Sequence, residues 1–291
     1  MSSAVLLMAH GTPSSLDDMP EYLARIRRGH PVPADLVEDI RRKYAAIGGI
    51  SPLTAIALRQ RDALAARLGA GWRVILGMRH WHPTIAEALG AVAGSGVTRV
   101  LGIPLAPQFS TLSAEPYAEA ARAAMPEGAA FECVMSYHAR PRLLEAFAAR
   151  IRDIGGPARG GLVLFTAHSL PARVIANGDR YADEVRATSA GVARLAGIEA
   201  FDVAFQSAGR TPEPWIGPDL NEVIRERAAA GARRFLVIPI GFVCDHTEIL
   251  YDIDVQAAET AAGCGAALRR TPSLNDSPEF IDVLEELARG V

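Results

Sequence analysis

The chain has 291 residues, 49% hydrophobic and 22% charged, enough to bury the core of one large domain or two of ordinary size. A net charge of −3 provides no basic footprint for nucleic acid, and 6% aromatic residues provide no platform for stacking bases. Three cysteines without C-x-x-C spacing indicate neither a disulfide framework nor an iron–sulfur cluster, and they fit a reducing, cytoplasmic setting.

The first apolar run, Val5–Met8, predicts a buried strand. It lacks the basic flank and the length of a signal peptide, and neither it nor Phe235–Val243 is long enough to span a bilayer, so a soluble protein is expected. The strand runs into Ala9-His10-Gly11-Thr12-Pro13, which puts a histidine at its carboxyl end. Two amphipathic stripes follow within residues 14–50: Met19, Tyr22, Leu23 and Ile26, then Leu36, Val37, Ile40 and Tyr44. They predict a helical lid inserted after the strand. Its cations cluster as Arg25, Arg27 and Arg28, then Arg41, Arg42 and Lys43. Such a cluster suits an anionic small ligand, or forms two solvated helix faces.

A helix is predicted over Leu53–Leu68 and a strand over Val74–Met78; His80 and His82 follow and would share a face on an extended segment. Then come a helix at Ile85–Val92, strands at Val100–Leu105 and Phe131–Met135, and a helix at Leu143–Ile154. In the second half, strand Leu162–Thr166 ends in Ala167-His168-Ser169-Leu170-Pro171. Helices at Tyr181–Leu195 and Leu220–Ala229 alternate with strands at Val203–Gln206 and Phe235–Ile240, and Pro278–Ala288 predicts a closing helix. The Pro-rich loops 104–111 and 206–215 stand at strand ends, where they could wall a pocket or serve as turns.

Two echoes recur in the same order. A histidine ends the first strand of each half, and Arg99–Leu105 matches Arg234–Ile240, each with an Ile-Pro pair. This predicts an α/β fold of two similar Rossmann-like lobes, each a parallel sheet flanked by helices, with a cleft between them. The expected boundaries are 1–155 for the first lobe with its insert near 14–50, 156–275 for the second, and 276–291 for the closing helix.

Beyond Phe235–Ile240 the chain turns acidic. A helix beginning near Asp245 would stack Glu248 and Asp252 on one face; Asp245 and Glu248 also fit a capping box. Strand-end imidazoles and carboxylates suit a divalent first-row metal held in transit, for instance by His168 with Glu248, and either group could take a proton. Each histidine alone could equally be a satisfied core residue.

Five stretches in order, Gly48–Leu53, Pro104–Ser110, Thr166–Pro171, Pro214–Pro218 and Gly241–Leu250, together resemble the ferrochelatase family. The resemblance implies chelatase-type lobes with a porphyrin in the cleft, and insertion of ferrous iron with release of two protons. It implies that a cleft that bends the ring exposes its nitrogens, strain supplied by binding energy. By similarity His168 and Glu248 are catalytic and handle iron, and Asp252 continues the row as a relay. Iron is then a substrate, and no permanently bound cofactor is expected.

The short chain and the run Tyr22–Gly29 are most similar to the soluble bacterial branch acting on coproporphyrin III. Positions matching Arg27, Arg28, Lys43, Ser51 and Tyr117 approach the porphyrin edge in that branch; His80 and Trp215 are further candidates for the cleft wall. Lys43 replaces an arginine, which puts a bidentate carboxylate contact there in doubt. His10 stands where that branch commonly has tyrosine, and is expected to be an axial ligand of product haem. Gln256 interrupts the acidic row, and Glu259 could replace the missing charge. Rival expectations are a chelatase for another tetrapyrrole or metal, such as cobalt into sirohydrochlorin, or a non-catalytic haem or porphyrin carrier. A monomer is expected.

Overall fold

The computed structural model describes residues 2–27 and 29–290. Along β1 (Ser2–Ala9) the side chains alternate between two buried faces. Val5, Leu7 and Ala9 join the large core, and Ala4, Leu6 and Met8 join a second cluster on the other face. A strand buried on both sides reads as a continuous apolar run, which is why β1 was visible in the sequence. It pairs in parallel with β2 (Trp72–Met78) and β3 (Val97–Pro104), and β3 pairs with β4 (Ala130–Cys133). The second sheet repeats this plan with β5 (Leu162–His168) between β6 (Phe201–Gln206) and β7 (Arg234–Ile238), and β8 (Ala267–Arg270) beyond β7. The orders β2-β1-β3-β4 and β6-β5-β7-β8 are the same order twice. In each sheet the chain leaves the central strand in both directions, so the carboxyl ends of β1 and β5 are topological switch points, where crevices open.

Helices α1 (Met19–Ile26) and α2 (Ala34–Ala46) fill the insert, and only Met19, Tyr22, Leu23 and Tyr44 of the two are buried. Helices α3 (Leu53–Leu68), α4 (Ile85–Gly90), α5 (Ala114–Ala123) and α6 (Pro141–Asp153) complete the first half. A reciprocal Thr84–Glu87 capping box starts α4, with Glu87 N–H 3.1 Å from Thr84 Oγ1 and Thr84 N–H 2.6 Å from Glu87 Oε2. The second half adds α7 (Ala172–Ala176), α8 (Tyr181–Ala196), α9 (Leu220–Ala229), α10 (Thr247–Leu250), α11 (Ala258–Gly263) and α12 (Pro278–Arg289). A π-helical turn, Asp252–Ala257, lies between α10 and α11.

The two halves share one interior. Val5, Leu7, Phe147, Val163, Phe165, Val185 and Leu284 belong to a single buried cluster, and α12 packs against both α3 and α6. Polar ties run across as well. Asp179 accepts from the Thr111 N–H (2.6 Å) and the Ser110 hydroxyl (3.0 Å), Glu184 accepts from the Phe109 N–H (2.6 Å), and Gln108 donates to the Ile240 carbonyl (3.1 Å). The 104–111 loop of the first half is thereby fastened to the second, beside the strand ends. No described helix is long and apolar enough to cross a membrane.

Candidate functional site

His10 follows β1 and His168 ends β5, so both histidines stand at the switch points. His10 Nδ1 lies 3.1 Å from the Gly11 carbonyl oxygen, and the buried Tyr22 hydroxyl, 3.2 Å from the same oxygen, donates to it. Nδ1 therefore carries the hydrogen, which leaves the Nε2 lone pair for a metal or a proton. The ring is open to solvent, yet deep enough that burial lowers its pKa and favours neutral imidazole. Gly11 has φ +90, and a Cβ there would lie 2.8 Å from the Trp81 nitrogen, so this turn needs glycine.

His168 uses the same ring nitrogen in the same way, Nδ1 to the carbonyl of Ser169. Its Nε2 faces Glu248 Oε1 at 3.4 Å. Burial by itself lowers the pKa of His168, but the charge and hydrogen bond of Glu248 outweigh it and raise the imidazole to about 9. Burial likewise pushes Glu248 up, and His168 with His246 pulls it well below the usual carboxylate range. The resting pair is imidazolium and carboxylate.

Glu248 reaches this place through a sequence of local constraints. Gly241 crosses β5 so closely that a Cβ would sit 2.5 Å from the Ala167 Cβ and 2.8 Å from its Cα. Gln206, at the end of β6, donates to the Glu248 backbone carbonyl at 2.6 Å. His246 is held from both ring nitrogens, by the Cys244 carbonyl (3.0 Å) and by Glu248 Oε2 (3.2 Å). One carboxylate thus has an imidazole on each oxygen.

The helix does not begin at Asp245, and Asp245 caps nothing. It is turned to the segment after β8, accepting from Ser273 (2.7 Å), Asn275 (2.9 Å) and Arg270 (3.1 Å), while His246 occupies the cap position of α10. The acidic row is therefore Glu248 and Asp252. Asp252 is buried, with Lys43 Nζ at 3.2 Å from Oδ1 and the Ser207 hydroxyl on Oδ2. The π-helical turn starts at Asp252, and this wider turn breaks the simple α-helical projection toward Gln256 and Glu259. Glu259 is exposed on α11 and does not join the contacts of Glu248 or Asp252.

The remaining candidates divide. His80 is buried with its ring 4.6 Å from that of His10, but His82 is exposed and bonds to Glu87 and Arg25. Residues 79–83 bend instead of extending, so the two do not share a face. Trp215 stands 6.5 Å from the His168 ring, its indole N–H donating to Thr211. Ser51 is buried, with Oγ 3.4 Å from the Leu53 N–H at the start of α3. Tyr117 is buried on α5 in the cluster with Ala4, Leu6 and Met8; burial raises its pKa and Arg79 opposes the rise. Arg27 donates through Nε to the Pro31 carbonyl, and Arg28 lies outside the described residues. Lys43 is taken by Asp252.

Sequence reasoning missed His246, Gln206 and Tyr44. The Asp245-His246-Thr247-Glu248 run was a usable signal, since a histidine two residues before a carboxylate can fold back onto it. Tyr44, 2.8 Å from the Thr12 hydroxyl, reads in the sequence only as an apolar stripe position. Among the described residues, no three His, Cys, Asp or Glu side chains form a group arranged to hold a metal ion.

The family model described as Ferrochelatase matches residues 2–290. A ferrochelatase of Deinococcus radiodurans is 40% identical over 293 residues, covering 96% of this chain and 93% of that protein. A coproporphyrin III ferrochelatase of Anoxybacillus flavithermus is 36% identical over 293 residues, with coverage of 96% and 93%. Among solved structures, SirB from Bacillus subtilis with Fe3+ shares the fold, with a TM-score of 0.62 over 99% of this chain and 95% of that one at 13% identity.

Proposed function

Because this chain belongs to the ferrochelatase family, we propose that it inserts ferrous iron into coproporphyrin III, with His168 and Glu248 as the groups that receive the metal and the protons. The family reaction, iron insertion into a porphyrin in haem biosynthesis, is the premise; the choice of porphyrin and the residue roles are the proposal. The observation that carries the roles is the 3.4 Å contact of His168 Nε2 with Glu248 Oε1 at one switch point, with His10 at the other.

The chemistry follows from charge. In the resting pair the proton stays on His168 because Glu248 is ionised beside it. A ferrous ion arriving at Glu248 removes that support, and burial then favours neutral imidazole, with the proton lost to solvent. Neutral Nε2 can accept the first pyrrole proton, and Glu248, freed as the iron passes to the ring, can accept the second. His246 holds the second carboxylate oxygen and keeps Glu248 oriented through the exchange. His10 presents a neutral imidazole from the other lobe, suited to ligating the iron of product haem.

Two observations favour coproporphyrin III, which has four propionates against the two of protoporphyrin. The insert holds cationic, partly exposed Lys43 at the junction of the lobes beside Asp252, and some matching proteins, including that of Anoxybacillus flavithermus, are named for this substrate. Steady-state kinetics with ferrous iron and each porphyrin test the assignment. A kcat/KM higher for coproporphyrin III by about tenfold or more supports it, since one desolvated charge-assisted contact accounts for that factor. Equal values, or a preference for protoporphyrin IX, overturn it.

A further inference from the structure

We propose that Lys43 is a gate that couples acceptance of a divalent metal by Asp252 to the arrival of a porphyrin carboxylate; the proposal rests on the ferrochelatase reading above. Lys43 is in the last turn of α2, and Asp252 lies 209 positions away at the start of the π-helical turn, so their 3.2 Å ion pair crosses from one lobe to the other. Both oxygens of Asp252 are engaged, Oδ1 by the ammonium and Oδ2 by the Ser207 hydroxyl. In this state the carboxylate is occupied, and the cation on it repels a second cation. Asp252 is buried at 5% side-chain exposure, whereas Lys43 keeps 27% and lies over the Tyr251 ring. An incoming ligand can therefore reach the lysine before it reaches the aspartate.

The helix does not have to move for this exchange. Tyr44 is buried and tied to Thr12, and Asp39 on the same helix is paired with Arg210 at 2.9 Å, ties that do not pass through Lys43 and need not break when its side chain changes partner. Lysine suits the task because its charge is compact and its stem flexible, whereas an arginine fork prefers to keep one planar partner. Once a propionate draws Lys43 away, Asp252 becomes a buried carboxylate with a single hydroxyl donor. An unpaired buried charge is costly, so it takes a cation, here the metal on its way along the Glu248 row. The coupling is reciprocal: metal on Asp252 releases Lys43 and strengthens porphyrin binding by the same factor.

The test is a titration of the full chain with Co2+ by calorimetry, with and without saturating coproporphyrin III that already carries zinc, so that nothing is inserted. The gate predicts cobalt affinity about tenfold higher when the porphyrin is present, a coupling of ordinary size. Lys43→Met should bring the two affinities within twofold of each other, Lys43→Arg should restore part of the difference, and Arg210→Gln, which cuts a different tie of the same helix, should leave it intact. A second readout avoids reliance on one variant. Asp252→Asn should bind metal-free coproporphyrin III more tightly, by fluorescence quenching, and Lys43→Met less tightly. Loss of coupling in Arg210→Gln, or weaker porphyrin binding in Asp252→Asn, overturns the gate in favour of a merely structural latch. A wild-type protein that inserts iron but shows no coupling loses the gate and keeps its function; one that neither binds porphyrin nor inserts iron loses the function on which the gate stands.

Discussion

His10 and His168 stand at matching strand ends on opposite lobes, and each turns Nδ1 to the carbonyl oxygen of the residue that follows it. The repeat has preserved a ring orientation as well as a position, while the environments have diverged. Glu248 beside His168 raises its pKa to about 9; His10 is lowered by burial. One imidazole is charged at neutral pH and the other is not.

The neutral ring makes the first prediction. If His10 is an axial ligand of the product, His10→Ala should shift the Soret band of bound iron coproporphyrin, and added imidazole should restore it. An unchanged spectrum would remove His10 from the iron.

The charged ring makes the second. An imidazole whose pKa rises on folding stabilises the folded state fully below its unfolded value of 6.5 and loses that contribution as pH climbs through about 9. Glu248, depressed in the fold, contributes above its ordinary 4.5 and loses its contribution at lower pH, as the solution falls through the depressed value. The Tm difference between wild type and Glu248→Gln should therefore be largest between about pH 4.5 and 6.5 and decline toward pH 9. A difference independent of pH would sink the pairing. In the variant, NMR titration of His168 should fall to or below 6.5, because burial is then left without its partner.

Gly241→Ala should be destabilising and harmful to turnover together. Its Cβ would meet the Ala167 Cβ at 2.5 Å, so β5 or the 239–246 loop has to shift, at about 1–3 kcal/mol. The shift moves Glu248 relative to His168, and a fall in kcat of tenfold or more is expected from such a misplacement. Urea unfolding combined with steady-state assay checks both, and wild-type kcat in a destabilised protein would contradict the second part.

Asp245→Ala separates structure from chemistry in the acidic stretch. It leaves Arg270 with one carboxylate fewer, and should cost about 2–3 kcal/mol, less than a fully buried pair because Asp245 keeps some exposure. The His168 titration near pH 9 should survive in the folded variant; a large shift would tie Asp245 to the His168–Glu248 pair.

Much of this arrangement was legible in the sequence. Seven of the eight strands are legible as apolar runs: the central ones are buried on both faces and leave no room for polar alternation, and the edge strand β4 shows through Phe131 and the Val134-Met135 pair that follows it. The missing one, β8, is Ala-Leu-Arg-Arg at a sheet edge, where exposed and half-buried positions alternate and the apolar signal vanishes. His168 and Glu248 could be named from motifs, but the role of Asp245 could not. Its partners Arg270, Ser273 and Asn275 lie far along the chain, and an Asp-x-x-Glu spacing carries no information about them. Lys43 was assigned to the porphyrin edge from resemblance, and its partner Asp252, on the far lobe, is a tertiary fact. The separation of His80 from His82 was not legible either, because it depends on the bend of the backbone over residues 79–83.

The interior shared by both lobes has a mechanical consequence. Domains joined by a slender hinge can part like jaws, but here Val5 of the first sheet and Phe165 of the second belong to one close-packed mass. Such packing compresses very little. The two walls are therefore stiff against each other, and compliance is left to the thinly buried α1 and α2 and to the side chains at their edge.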